Sequence, residues 1–362
     1  TRVFLVQGSA NNSLIYSIAD TPGISYTATL GEQSAGFMAE GWSKVTGKPG
    51  CAIATSGPGG QNLVTPIANF WYDSVPGIFI TGQVNSKFMK RSADMRQLGF
   101  QEWPASEVLR PITKRSILIT DPRQVQYELE VALKLCQEGR PGPVLLDIPI
   151  DVQRAQIEVK ELYPMPEHPY KFKSAMEKQI ASVTNKTLVS CDDTVTQFLN
   201  DLWKAKRPVL LIGGGCSSPA ARAGLDKLLS VLKIPVFPTW NALDIVTSDN
   251  PFYGGRVGTY AGPGRNFGVQ NSDLLLAIGC RLSGRITGGI PESFARGAKR
   301  YVIDIDPNLL ERRNQDQPFH VSCLSDAAEF MAKLKTECLR WQDALLCGNT
   351  PTPDHSSWLS KV

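Results

Sequence analysis

The chain has 362 residues, 42% of them hydrophobic and 20% charged, with a formal net charge of +4. That length fits two domains, or three, each able to bury a sizeable core, and the mild, scattered positive charge excludes a nucleic-acid footprint. No uninterrupted apolar run is long enough to span a bilayer, and the opening Thr1–Gly8 is too short for a signal peptide, so no membrane partner and a cytoplasmic location are expected.

Residues 1–157 alternate strand and helix signals, the mark of a doubly wound, mainly parallel α/β sheet. Strands are expected at Val3–Val6, Ile24–Thr29, Cys51–Thr55, Gly77–Thr81 and Val144–Ile148. Glu32 follows the second strand and Gly31, and opens a helix. Ser56-Gly57-Pro58-Gly59 follows the third strand and opens another, whose stripe Leu63, Ile67, Phe70 and Trp71 is that of a packed helix. Two strand ends thus bring a carboxylate and a glycine turn to one sheet edge, where open α/β sheets bind ligands. A further amphipathic helix covers Glu128–Cys136.

Residues 158–190 read as a linker, with Tyr163–Tyr170 proline-rich and extended. A second α/β block spans 191–340. It has a helix at Val195–Ala205, strands at Pro208–Ile212, Val236–Phe237, Asp273–Ile278 and Tyr301–Ile305, and a closing helix at Ala327–Arg340. Residues 341–362 read as a tail, loop-like over Gly348–Ser357. The eight cysteines, at 51, 136, 191, 216, 280, 323, 338 and 347, form no Cys-x-x-Cys pair and read as free thiols, mostly buried, of a reducing compartment. With His168, His320 and His355 the only histidines, no metal-ligand spacing or Ser-His-Asp arrangement is attractive.

Several segments together resemble the pyrimidine-binding domain of thiamine-diphosphate enzymes, above all the acetolactate synthase group. They are Gly31-Glu32-Gln33, Ala39-Glu40-Gly41, Gly47-Lys48-Pro49-Gly50, Thr55–Gly59, Asp73-Ser74-Val75-Pro76, Ile80–Val84, Phe100-Gln101-Glu102 and Gly139–Val144. The resemblance implies a carboligase or lyase that decarboxylates a 2-oxo acid and passes the C2 unit to a carbonyl acceptor. The alternatives are a decarboxylase or C–C hydrolase of the same family, or a non-catalytic regulatory or assembly homologue. A dinucleotide-dependent oxidoreductase would explain the glycine-rich second block but not the first.

By the same resemblance Glu32 is the catalytic carboxylate that exchanges a proton with the cofactor pyrimidine, a task suited to an apolar pocket. Ser56, Gly57, Pro58 and Gly59 would let backbone approach the cofactor pyrimidine or the dimer partner, with Gly8 facing the thiazolium and Asn62, in the next turn, either a site residue or a plain polar helix residue. Gln101 would reach substrate. Departures from the pattern lie where substrate would sit. Gln7-Gly8-Ser9 stands for the usual Pro-Gly-Gly, and Gly31 for a histidine. The segment Asn85–Gly99 is longer than usual and carries Lys87, Lys90, Arg91 and Arg96, either a solvated basic loop or one that attracts an anionic substrate.

In the second block, Gly213, Gly214, Gly215, Thr239, Gly258, Arg281, Arg285 and Asp304 lie in motifs similar to those of the FAD-binding central domain of acetolactate synthases, which leaves FAD, ADP or an empty site open. The family holds its diphosphate through Mg2+ on a third domain bearing Gly-Asp-Gly, a motif with no counterpart here, so that domain is expected to be absent from this chain. A helix preceding the first strand is also usual, and the natural chain is expected to start earlier. A homodimer or homotetramer with the active site between subunits is implied.

Overall fold

The computed structural model describes residues 1–90, 92, 94–163, 188–261, 263–316, 318–347 and 354–362. Two compact units result, Thr1–Lys171 and Phe172–Val362. The point of division falls within residues 164–187, as do most of the expected linker and its proline-rich segment, all outside the described residues.

The first unit carries β1 (Arg2–Leu5), β2 (Ser25–Ala28), β3 (Gly50–Ala54), β4 (Gly77–Gln83), β5 (Arg115–Leu118) and β6 (Pro143–Pro149). Its sheet runs in the order β2-β1-β3-β4-β6-β5, with every neighbouring pair parallel. All residues of the central strands β4 and β6 are buried, which is why these two read as continuous apolar runs. β5 was not expected from the sequence. It is an edge strand whose four residues are all half-buried, and Arg115 spends its charge on Glu128 at 2.7 Å, so no alternation marks it.

The Glu32–Thr46 helix lays Ala35, Gly36, Ala39, Glu40 and Ser43 on the sheet, the one-face spacing of an amphipathic helix. Ala35 and Ala39 meet Ala52 and Ala54 of β3 in one core cluster, small against small, so the helix lies close. It ends at Gly47, whose φ of 68° gives a left-handed stop. The expected helix after Gly59 is two pieces, Pro58–Asn62 and Val64–Asp73. Leu63, Ile67 and Phe70 bury the expected stripe, and Phe70 meets Phe79 of β4 edge to face at 4.9 Å. A helix at Asn12–Asp20 buries no residue fully and left no clear stripe in the sequence.

The second unit carries β7 (Pro208–Ile212), β8 (Val236–Pro238), β9 (Leu274–Ile278), β10 (Lys299–Asp304) and β11 (Val321–Leu324), in the parallel order β11-β10-β9-β7-β8. Leu210 and Ile212 of β7 enter one core cluster, while Val209 and Leu211 enter another, so the sheet lies between two apolar layers. The expected loop-like stretch, Gly348–Ser357, is corrected at its end, where Ser356 and Ser357 open a helix. Residues 348–353 lie outside the described residues, but Ser356–Leu359 is helical and Trp358 is buried, its indole N–H donating to the Pro208 carbonyl at 3.1 Å. Seven of the cysteines are free thiols, five of them buried.

Candidate active site

Because every strand of the first sheet is parallel, all their C-terminal ends deliver residues to one edge. The chain steps from β1 outward to β2 and then back across β1 to β3, so a topological switch point lies between β1 and β3, where such sheets open a crevice. Gly8 follows β1 and Ser56–Gly59 follows β3. Glu32 follows β2, on the far side of β1.

Thr55 ties these turns together. A Cβ on Gly8 would lie 2.5 Å from Thr55 Cβ, and one on Gly59 would lie 2.7 Å from Thr55 Cγ2. The Ala10 amide donates to Thr55 Oγ1 at 3.1 Å. Both glycines therefore owe their identity to this side chain, which opens the Thr55–Gly59 motif but was given no role in the sequence reading. Gly8 is further fixed by Asn11, whose Oδ1 accepts from the Gly8 amide at 2.8 Å and whose amide donates to the Val6 carbonyl at 2.9 Å.

Glu32 is half-buried in the first turn of its helix, a favourable place for a carboxylate at a helix N-terminus. Its Oε2 accepts from Asn62 Nδ2 at 2.9 Å, and its Oε1 lies 3.2 Å from the place a Cβ on Gly59 would take. The carboxylate and the glycine turn are thus in contact, as the sequence predicts, and Asn62 is the side chain that holds them so. Its polar amide stands against the carboxylate where an apolar wall was expected.

Ser56, Gly57 and Gly59 are buried, whereas Pro58 is exposed. Gly57 has φ 56° and abuts Gln101, itself at φ 63°. Phe100 beside it is 86% exposed. The segment leading to this turn is closed by Glu102, whose carboxylate accepts from the amides of Lys90, Leu98 and Gly99 at 2.7, 2.8 and 3.2 Å. Burial alone would raise the Glu102 carboxyl, but these amides outweigh it and hold it below the usual range. Lys87 and Arg96 are exposed, Lys90 half-buried. Arg91 lies outside the described residues.

Beneath this turn lies a buried carboxyl that the sequence reading passed over. Asp147 of β6 is 1% exposed. Oδ1 accepts from the Thr81 hydroxyl at 2.7 Å, and Oδ2 accepts from Gln83 Nε2 at 3.0 Å. Gln83 Nε2 also donates to the Trp103 carbonyl at 2.6 Å, and the Trp103 ring would meet a Cβ on Gly60 at 3.0 Å. Burial pushes the Asp147 carboxyl up to about 7, against the opposing bonds from Thr81 and Gln83. Its place inside an apolar strand signal hid it.

The second sheet repeats the switch-point topology between β7 and β9. Here the glycines serve each other. A Cβ on Gly213 would lie 2.1 Å from the Gly279 carbonyl oxygen, and one on Gly215 would lie 2.8 Å from Gly279 Cα. Gly214 looks toward Asn241, and Thr239 follows β8, its amide donating to the Ile212 carbonyl at 2.9 Å. Gly258, at φ 113°, sits under the Arg285 carbonyl. Arg281 and Arg285 are exposed, and Arg285 donates to the Tyr260 hydroxyl at 2.9 Å. Asp304 ends β10 buried, accepting from the Asp306 amide at 3.0 Å. A cavity of about 100 Å³ lies nearby, lined by Gly258, Asn266, Ile286 and Gly288 among others. Among the described residues no cluster of three or more His, Cys, Asp or Glu side chains is placed to hold a metal ion, and no helix is long and apolar enough to cross a membrane.

Comparison with known proteins agrees with both halves of this picture. Residues 1–107 match the thiamine pyrophosphate enzyme N-terminal TPP binding domain, and residues 195–334 match the thiamine pyrophosphate enzyme central domain. The chain is 35% identical over 358 residues to acetolactate synthase 1, chloroplastic, of Zea mays, covering 98% of this chain and 51% of that protein. It is 32% identical over 357 residues to the acetolactate synthase large subunit of Corynebacterium glutamicum (99% and 52%). It is 37% identical over 291 residues to a probable acetolactate synthase large subunit of Methanococcus aeolicus (80% and 46%). The chain spans about half the length of these curated relatives. Two parallel-sheet α/β units in the family's order, each matched by its own domain model, place this chain among the thiamine pyrophosphate enzymes.

Proposed function

We propose that this chain forms the pyrimidine-binding and central parts of a thiamine-diphosphate-dependent carboligase or lyase of the acetolactate synthase type, acting on a 2-oxo acid. The observation that carries the reading is the contact between the Glu32 carboxylate and the Gly59 turn at the sheet's switch-point edge. The residues present fit the pyrimidine half of the cofactor: a half-buried carboxylate at a helix start, held by Asn62 beside a turn that Thr55 and Gln101 pack into one shape. When bound, thiamine diphosphate would supply the carbon nucleophile that decarboxylation of a 2-oxo acid needs. Glu32 would hold and return a proton through its Oε1, with Asn62 steadying Oε2. Ser56–Gly59 and Gly8 would shape the floor of the site, and Gln101, beside Gly57, would meet substrate. Mg2+ would be bound through the diphosphate by residues of another domain, and the site would be completed by a second subunit of a dimer or tetramer.

For the second unit we propose FAD, lying over the β7–β9 switch point with its pyrophosphate against Arg281 and Arg285. Both guanidinium groups being exposed at that edge supports this. Gly214 and Thr239 would flank the chain of the flavin, and Asp304 would reach ribose only by sharing its bond to the Asp306 amide.

The deciding experiment is to supply the full-length protein with thiamine diphosphate, Mg2+ and pyruvate and follow CO2 release and carboligation product. Cofactor-dependent turnover of pyruvate or a larger 2-oxo acid is expected. Its absence across a panel of 2-oxo acids, from protein that binds the cofactor, would overturn the reading in favour of a regulatory homologue.

A further inference from the structure

The buried Asp147 takes no direct part in the chemistry above, yet a continuous path of bonds joins it to the site. It holds Gln83 Nε2 at 3.0 Å, and the same Nε2 donates to the Trp103 carbonyl at 2.6 Å. Gln83 is itself fixed, because its Oε1 accepts from the Val84 amide at 3.0 Å. Two residues before Trp103, Gln101 is held in a left-handed conformation against Gly57. A non-glycine residue keeps such a φ only where its surroundings over-determine it. Two clamps do so here. Glu102 gathers the amides of Lys90, Leu98 and Gly99 on one side of the turn, and Gln83 pulls the Trp103 carbonyl from below.

We propose that Asp147 is a positioning residue, which through Gln83 sets the Trp103 carbonyl and thereby places Gln101 against the Gly57 turn beside Glu32. The Val84 amide engages only the Oε1 end of Gln83, and the Nε2 end takes its acceptors from Asp147 and the Trp103 carbonyl. A carboxylate accepting from both Thr81 and Gln83 fixes which way it faces. The placement of Gln101 at substrate rests on the proposed function; the mechanical link from Asp147 to the turn does not.

The test uses the full-length protein and three substitutions. Asp147→Leu removes the acceptor. Gln83→Met keeps the length of the side chain but removes the donor. Asp147→Asn can still donate to Thr81 and accept from Gln83, so it serves as the conservative rescue. Asp147→Leu and Gln83→Met are each expected to speed amide exchange over residues 99–103 about tenfold. Each should also raise KM for the 2-oxo acid by about tenfold with a smaller change in kcat. The double variant should be no worse than the worse single, because both break one path. Asp147→Asn should restore both readouts. If Asp147→Leu fails to fold, Gln83→Met against wild type decides alone. Unchanged exchange over 99–103 in a folded variant would overturn the proposal, as would effects that add in the double variant. Should the protein prove to turn over no 2-oxo acid, the proposed function fails while the exchange result still judges the link.

Discussion

Gly57 and Gln101 meet backbone to backbone, both with positive φ (56° and 63°), and a Cβ on Gly57 would lie 2.7 Å from both the Cβ and the carbonyl oxygen of Gln101. The turn after β3 and the turn after the 85–99 segment are therefore built to fit each other. Gly57→Ala is expected to lose both the permitted φ and the space, at a cost of about 2–4 kcal/mol. Gln101→Gly should relieve strain and raise stability by about 1 kcal/mol while lowering activity, if Gln101 meets substrate. Thermal unfolding of the two variants checks the pair, and a destabilised Gln101→Gly would count against strain at that position.

Glu32→Gln keeps the shape of the side chain and its place beside Asn62 but removes the exchangeable acid. Deuterium exchange at C2 of bound thiamine diphosphate should slow by roughly two orders of magnitude or more, with folding unchanged. The measurement is quenched-flow exchange on the full-length protein. An unchanged rate would remove Glu32 from the chemistry.

Asp147 has a folded-state pKa of about 7, above the ordinary value of about 4 in an unfolded chain. The folded state thus binds more protons, so the stability contributed by this group is fully present below pH about 4 and is lost as pH rises to about 7. Asp147→Asn removes that dependence. Relative to wild type, the variant should gain stability between pH about 4 and 7 and change little above, by at most about 4 kcal/mol. Urea unfolding of both proteins across that range reads the difference. A difference independent of pH would show that the carboxyl is not held protonated.

Arg281→Ala and Arg285→Ala together should weaken FAD binding by at least about tenfold, since each can offset pyrophosphate charge with paired hydrogen bonds. The readout is flavin absorbance retained through gel filtration. Colourless wild-type protein that takes up no added FAD would leave these arginines as surface groups, with Arg285 a partner of Tyr260.

Much of this was legible in the sequence because the central strands are buried on both faces and write themselves as apolar runs. β3, β4, β6, β7 and β9 all declared themselves in this way, and the meeting of Glu32 with the Gly59 turn followed from two strand ends sharing an edge. The edge strands β5 and β11 did not. They have four residues each, two polar then two apolar in β5 and a serine within β11, and only their neighbours make them strands. The roles of Thr55 and Gln83, though both stand in recognised motifs, and Asp147 altogether escaped for a related reason. Each sits at or inside a strand whose apolar character dominates the signal, and their meaning comes from contacts across the sheet, such as Thr81 with Asp147, 66 positions apart. The glycines of the second unit were legible as a cluster but not in purpose. Gly213 and Gly215 are bare because Gly279 crosses them, a fact visible only in three dimensions.

The three-amide grip of Glu102 on Lys90, Leu98 and Gly99 makes the stretch before it a self-closing cassette. Its two ends are fastened to one side chain at its own base rather than to the sheet. The three amides are satisfied within the segment itself and make no call on β4 or β6. The segment expected from the sequence to be long, with Lys87, Lys90 and Arg96, thus carries its own fastening, and a change of length within it is expected to leave the hydrogen bonds of the sheet in place.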